Sequence, residues 1–317
     1  MDFLCKKTTE LSQRELSQIA DLFEEVFKKP RPTDVILNQY IYNPLGYSYH
    51  GLIVDNGKIV GLNTFVPSYY LALGKRVKCA NSIDSMVSKP YRDLFNFMDM
   101  LNAAYVEMKR DDVVFVLGYP NDTSYPILTK SKLMRDIGKM NIFCLPYRIG
   151  GVKPSLAFLN WASMAFCGLF VGLCGLFASD KEACFRYEKE AETYDATRYK
   201  RFDGQYDIVE RDGCTFMFKI REQEGIRTAF IIDVKRKSPK AFNTAVKYII
   251  KNHGKEFDLL LYPGCLPFGN ASMIKMPRKA EPKNFYVTGR ELKKGVMGND
   301  VWHIESWDTN LSNYDLI

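Results

Sequence analysis

The first apolar positions recur at helical spacing. Leu16, Ile19, Ala20, Phe23, Val26 and Phe27 follow Ser12-x-x-Glu15, a capping-box signature, and Pro30 and Pro32 stop the run. A shorter helix is predicted over 33–40, with a turn at Tyr42-Asn43-Pro44-Leu45-Gly46. The pattern then changes to strands. Segments 49–55 and 58–66 flank Asn56-Gly57, the strongest short hairpin signal. Segments 69–73 and 76–86 flank Gly74 and predict a second hairpin. A loop around Pro90 leads to Leu94, Phe97, Met98, Leu101, Ala104, Tyr105 and Met108, one face of a four-turn helix. The β-branched run from Val113 to Leu117 closes at Gly118-Tyr119-Pro120-Asn121. Strand, loop, helix and strand make a βαβ unit. A short helix over 123–134 and a strand over 139–146 complete one mixed-sheet α/β domain, residues 1–148.

The second half repeats that order. Asp212-Gly213 turns one hairpin and residues 222–225 another. Ile231-Ile232-Asp233-Val234 precedes Ser238-Pro239 as Ser82-Ile83-Asp84-Ser85 precedes Lys89-Pro90. Ser238 is the expected N-cap, and Phe242, Ala245, Val246, Ile249 and His253 line one helical face. Leu259-Leu260-Leu261-Tyr262-Pro263-Gly264 then matches Val116 through Asn121. Order is kept better than residue identity, which reads as a degenerate duplicate over 202–317. In the tail from 284, Trp302, Trp307 and Tyr314 are the expected packing anchors.

Between the halves, residues 149–201 behave differently. The stretch opened by Pro154 and closed by Ala178 has no charged side chain and is long enough to cross a bilayer. Gly168 and Gly172 have helix-contact spacing. Three readings stay open: a helix or hairpin buried between domains or in a subunit contact, a membrane-surface or re-entrant element, and a span. A helix or helical hairpin only partly covered by its own chain is expected, with Lys153 and Lys181 flanking it. Residues 179–201 read as a polar helical connector.

Composition narrows the class. The 317 residues are 46% hydrophobic and 26% charged, as in a globular chain. The net charge of +7 is compatible with an anionic ligand or surface. No dense Lys/Arg run with interleaved aromatics occurs, so no nucleic-acid partner is expected. Eight cysteines without C-x-x-C, and three scattered histidines, argue against a structural metal site. Reduced thiols and the absence of a signal-peptide pattern after Asp2 point to a cytoplasmic location. The apolar stretch adds the inner face of the membrane as an alternative.

Val87-x-x-Pro90-x-Arg92, the helix behind it and Gly118-Tyr119-Pro120-Asn121 resemble the central unit of the GNAT acyltransferase superfamily. The helical opening and the duplicated order resemble the tandem GNAT-like proteins of bacterial surface-polysaccharide pathways. The resemblance implies two tandem GNAT-like mixed-sheet domains joined by the apolar helical segment. It implies acyl-CoA, acetyl-CoA or another, as co-substrate. Met86 and Val87 would hold the pantetheine arm, with Asn121 either bonding that arm or shaping the turn. Arg92 and the backbone N–H groups of Leu94, Phe95 and Asn96 would meet the pyrophosphate, with Lys89 and Lys130 as weaker candidates. The loop from Arg92 to Phe97 has no Gly and contains Asp93, a departure from the family pattern.

Acyl transfer from a thioester to an amine needs a proton acceptor for the amine and a donor for the thiolate. Asp84 is the candidate base, its alternative being a structural carboxylate. The family's usual acid position is occupied by Thr129, so Tyr125 is the candidate acid, its alternative being a packing aromatic. The expected function is N-acyl transfer to a small-molecule or lipid-linked amine, such as an amino sugar of a surface polysaccharide. Two rivals stand beside it: a Fem-type aminoacyl transferase, and a non-catalytic binding protein with a decayed site.

Overall fold

A computed structural model of the chain describes residues 1–178, the backbone of 186–187, and residues 206–235, 237–266 and 272–314. The chain divides into two compact units. The first is built on a sheet with the order β1 (Asp2–Lys7), β2 (Tyr49–Asp55), β3 (Lys58–Ala72), β4 (Lys75–Val87), β5 (Val113–Gly118), β14 (Tyr286–Glu291) and β6 (Arg135–Lys139); β8 (Arg186–Tyr187) pairs beside β3. β4 and β5 are parallel, while β1–β2, β2–β3, β3–β4 and β5–β14 are antiparallel.

Helices cover both faces of this sheet. α1 (Gln13–Phe27) starts with the predicted capping box: Ser12 Oγ accepts from Glu15 N, and the Glu15 carboxylate accepts from Ser12 N at 2.9 Å. With α2 (Thr33–Ile41) it buries Ile19, Leu22, Phe23, Ile36 and Tyr40 against Leu52, Leu62 and Ile83. α3 (Leu94–Arg110) buries Met100, Leu101, Ala104, Tyr105 and Met108 against Ile53, Phe65 and Val116. Leu52 and Ile53 thus serve opposite faces, as strand geometry requires. Gly51 lets α3 come close: a Cβ there would lie 2.7 Å from the Met100 carbonyl oxygen.

The predicted hairpins form. Asn56 and Gly57 take φ 48° and 74°, and Leu73 and Gly74 take φ 51° and 76°, the left-handed pairs a two-residue turn demands. β3 differs from expectation in running unbroken through Pro67. Its pairing with β2 stops at Phe65, and on the other edge Pro67 faces Ala80 of β4. The helix expected over 123–134 is shorter, α4 (Ser124–Lys130), and Arg135–Lys139 is already strand β6.

The second unit's sheet has the order β13 (Ile274–Lys275), β7 (Asn141–Pro146), β12 (Leu259–Gly264), β11 (Ile226–Val234), β10 (Cys214–Gln223), β9 (Asp207–Arg211). β11 and β12 are its parallel pair, and the helix between them, Pro239–His253, follows the predicted Ser238 cap. Two mixed sheets with hairpins, strand, helix and strand in the same order bear out the fold expected from the sequence.

The boundary drawn at residue 148 does not separate the sheets. β7 lies in the second sheet, antiparallel to β12, and β14 lies in the first, antiparallel to β5. Each half therefore lends one strand to fill the place beside the other half's parallel pair. The single strand expected over 139–146 is in fact the end of β6 and the whole of β7, interrupted at Met140 as the chain changes sheets.

The apolar stretch folds as a short helix α5 (Ile149–Val152), a 3-10 turn (Pro154–Leu159) and α6 (Asn160–Leu176). The helix after β11, Pro239–His253, is α7. α6 is held to its own unit by Cys167 and Val171 in the core and by Asn243 Nδ2 donating to the Val171 carbonyl at 2.7 Å. Among the described residues, its other face is exposed. Most of the connector expected over 179–201 lies outside the described residues. Trp307 and Tyr314 are buried as expected, and Trp302 packs 5.5 Å from Phe115.

Candidate functional site

The candidate site lies where the ladder between β4 and β5 ends. Their ladder ends at Ser82–Gly118, while β4 continues to Val87. On its other edge β4 carries a bulge: Leu62 faces Met86 and Thr64 faces Ile83, so Asp84 and Ser85 together oppose Asn63. Asp84 sits at φ 48°. This left-handed conformation is uncommon for a non-glycine residue inside a strand and costs on the order of 1–3 kcal/mol. The bulge turns Asp84 toward the α1–α2 face, where the Tyr40 hydroxyl donates to its Oδ2 at 3.2 Å. Arg31 pairs with the same oxygen at 3.5 Å.

The neighbours of Asp84 are themselves fixed. Arg31 stands between Pro30 and Pro32, stacks 4.0 Å above the Phe23 ring and donates to Gln39 at 2.7 Å. Tyr40 is buried, and desolvation together with the Asp84 charge raises its pKa well above the usual phenol value, so it keeps its proton. It is also hydrogen-bonded to Thr64. Behind it lies His50, with Nδ1 3.0 Å from Thr64 Oγ1 and Nε2 2.9 Å from Thr8 Oγ1. Burial lowers the His50 pKa to about 3, so the ring is neutral. A line of polar groups thus runs Thr8, His50, Thr64, Tyr40, Asp84 through an otherwise apolar layer. On the other side of the bulge, Asn63 bonds Ser82 at 3.0 Å and also accepts from Ser85.

The remaining predicted residues fall into two groups. Met86 is buried in the α1–α2 core, and Val87 packs on the α3 side, so the groups they turn to the parting are backbone. Arg92 is exposed and folds back, its Nε donating to the Val87 carbonyl at 2.8 Å. That places a guanidinium at the end of the parted strand. Lys89 is exposed in the adjacent 3-10 turn.

The expected phosphate cradle differs from the prediction. Asp93 is the N-cap of α3, and its Oδ1 accepts from Phe95 N at 2.7 Å and Asn96 N at 3.3 Å. Two of the three N–H groups assigned to a pyrophosphate are therefore already bonded to a carboxylate. The Phe95 side chain is exposed, and Asn96 Nδ2 is bonded to the Tyr91 carbonyl. β4 beyond Ser82 lies outside the β5 ladder, and the α3 N-terminus does not fit a pyrophosphate.

Asn121 shapes the turn. Its Oδ1 accepts from Thr123 N, Ser124 N and Ser124 Oγ at 2.9–3.1 Å, at the start of α4. Tyr125 follows, stacked 3.9 Å from Tyr286 with rings 12° apart. Partial burial and Asp136, which it hydrogen-bonds, raise its pKa, so it too is a protonated phenol at neutral pH. Asp84 and Tyr125 come from segments at the carboxyl ends of two adjacent parallel strands.

Asp233 differs from Asp84. In the second unit the extra residue is Ile232, since Met217 faces Asp233 and Phe218 faces Ile231. Asp233 follows the bulge, is fully buried, and accepts from Asn310 Nδ2 at 2.6 Å and from Val234 N at 2.9 Å. The duplicated aspartates hold neighbouring rather than identical places.

Sequence reasoning missed Arg31, Tyr40, His50, Asn63 and Thr64 as site residues. The Pro-Arg-Pro triplet and a histidine inside an apolar strand were the available signals.

No curated protein matches the sequence. Solved structures share its fold at identities too low to say more. A conserved protein of unknown function from Enterococcus faecalis V583 superposes with TM-score 0.60 at 12% identity, covering 92% of this chain and 73% of the other. A GCN5-related N-acetyltransferase from Anabaena variabilis gives 0.59 at 13%, covering 91% and 73%. Eis1 from Mycobacterium abscessus gives 0.58 at 10%, covering 92% and 74%. Residues 7–131 match the acetyltransferase (GNAT) domain family, a segment that contains Arg31, Tyr40, Asp84, Arg92 and Tyr125.

Proposed function

We propose that the first unit transfers an acyl group from an acyl-CoA thioester to an amine at the parting of β4 and β5. The observation that carries this reading is the bulged Asp84 beside that parting, held in a strained conformation by Tyr40 and Arg31. Strain at a polar residue within an otherwise regular strand is typical of functional positions. The match of residues 7–131 to an acetyltransferase domain supports it.

In this reading the amine nitrogen attacks the thioester carbonyl, a C–N bond forms and the C–S bond breaks. Asp84 accepts the proton the amine loses, directly or through a water. Tyr125 supplies the proton taken by the leaving thiolate. The backbone of Ile83 to Val87 meets the amides of the pantetheine arm. Arg92 and Lys89 meet the phosphates by side chain, because Asp93 closes the helix N-terminus. The order of elements shared with tandem GNAT-like proteins makes an amino sugar of a surface polysaccharide the acceptor class to try first.

The Asp93 cap also favours a second reading: a transferase with a different activated donor, such as the aminoacyl-tRNA of Fem-type enzymes, or a binding protein that has lost turnover. Thiol release from acetyl-CoA, with glucosamine and a nucleotide-linked amino sugar as acceptors, separates these. Asp84→Asn is expected to lower turnover by roughly 100-fold, the range of general-base effects, with an unchanged melting temperature. No thiol release from the intact protein, or full activity in Asp84→Asn, refutes the assignment.

A further inference from the structure

From the bare face of α6 and its charged border, we infer that the second unit docks on an anionic bilayer surface, with α6 lying in the plane of the headgroups. This rests on unit geometry and is independent of the acyl-transfer reading.

Pro154–Leu176 is a continuous helical stretch long and apolar enough to cross a membrane, and its buried residues are Cys167 and Val171. Phe158, Trp161, Phe166, Leu169, Leu173, Leu176 and Phe177 are 53–81% exposed. At 100° per residue, those within α6 fall on one side of the helix, and Cys167 and Val171 fall opposite. Water gains nothing by meeting so many large apolar side chains on one side of one helix; patches of this kind mark interaction surfaces.

Three observations choose the occupant. First, α6 is tied down at mid-length, where Asn243 bonds the Val171 carbonyl and Cys167 and Val171 enter the core. Ser163 Oγ also donates to the Tyr147 carbonyl at 2.9 Å. A span would break these contacts; a helix lying flat keeps them and offers its apolar face to the acyl boundary.

Second, the border is basic. Lys240, Lys247 and Lys251 are exposed at i, i+7 and i+11 along α7, which contains no Asp or Glu. Lys247 Nζ lies beside Gly175 in the last turns of α6, 2.8 Å from where a Cβ would be, and exposed Lys153 precedes the stretch. An apolar face bordered by lysines matches an anionic headgroup layer, which attracts cations near its surface.

Third, a second copy of the chain is a poorer match. A two-fold contact sets a patch against itself and brings the lysine border near its own image.

The test is flotation of the full chain with vesicles of phosphatidylcholine alone and with phosphatidylglycerol added, at low salt. Binding is expected to be at least tenfold tighter with phosphatidylglycerol. Phe166→Ser, Leu169→Ser, Leu173→Ser combined should abolish it with an unchanged melting temperature, since all three side chains are exposed. Lys247→Glu, Lys251→Glu should remove the preference for phosphatidylglycerol. Trp161 emission should shift to the blue on binding and be quenched by shallow spin-labelled lipid, a signal missing from Trp161→Phe. A chain that floats with neither vesicle overturns the proposal. So does a vesicle-free dimer by light scattering that the triple serine variant turns to monomer, because the face would then be a self-interface.

Discussion

His50 offers a stability experiment whose size follows from its burial. The ring is fully buried between Thr8 and Thr64, and its pKa is lowered to about 3. In the unfolded chain it returns to an ordinary histidine value near 6.5. The unfolded state therefore binds a proton that the folded state refuses, and stability falls as pH drops below about 6.5. Between pH 8 and pH 5 that loss amounts to about 2 kcal/mol from this one residue, by the linkage relation.

Other groups also titrate in that range, so the informative quantity is a difference. His50→Gln removes the ring and its titration together. It should be the less stable protein at pH 8, and its disadvantage should shrink by about 2 kcal/mol at pH 5. Urea unfolding followed by Trp302, packed on Phe115 in the same unit, reads the change; Trp161→Phe and Trp307→Phe in both proteins isolate that signal. A gap between the two proteins that stays constant from pH 8 to pH 5 refutes the claim that His50 is held neutral in the fold.

Two further substitutions probe the scaffold. Asp93→Ala removes the cap from Phe95 N and Asn96 N, and should cost about 1 kcal/mol in unfolding experiments while tightening acetyl-CoA binding by calorimetry; unchanged or weaker binding would place the phosphates elsewhere. Gly51→Ala drives a Cβ into the Met100 carbonyl and should destabilise the first unit by about 1–3 kcal/mol, read as a lower urea midpoint, whereas a neutral result would mean α3 sits farther from β2 than described.

Local signals in the sequence carried through well where local physics decides. The Ser12 cap, the Asn56-Gly57 turn, the α3 face and the Ser238 cap each depend on residues within a few positions of one another. The exchange of β7 and β14 between sheets could not be read, because either strand would satisfy period-two patterning in either sheet. Asp84 was legible as a polar residue in an apolar strand. Its bulge was not, because register is fixed by the pairing of Leu62 and Thr64 across the sheet. Asp93 was read only as a departure from the family's loop pattern, while its geometry gives it a role as the helix cap. Tyr40 and Arg31 lie more than 40 residues before Asp84 in sequence and reach it through the packing of α1 and α2 on the sheet.

Backbone hydrogen exchange with and without acetyl-CoA tests the central claim most directly. If the parted strands hold the pantetheine arm, amides in 83–87 and 118–124 slow on adding ligand, while the corresponding segment 231–235 of the second unit keeps its rate. Protection confined to other segments, or no change at saturating acetyl-CoA, would contradict the placement of an acyl-transfer site between β4 and β5.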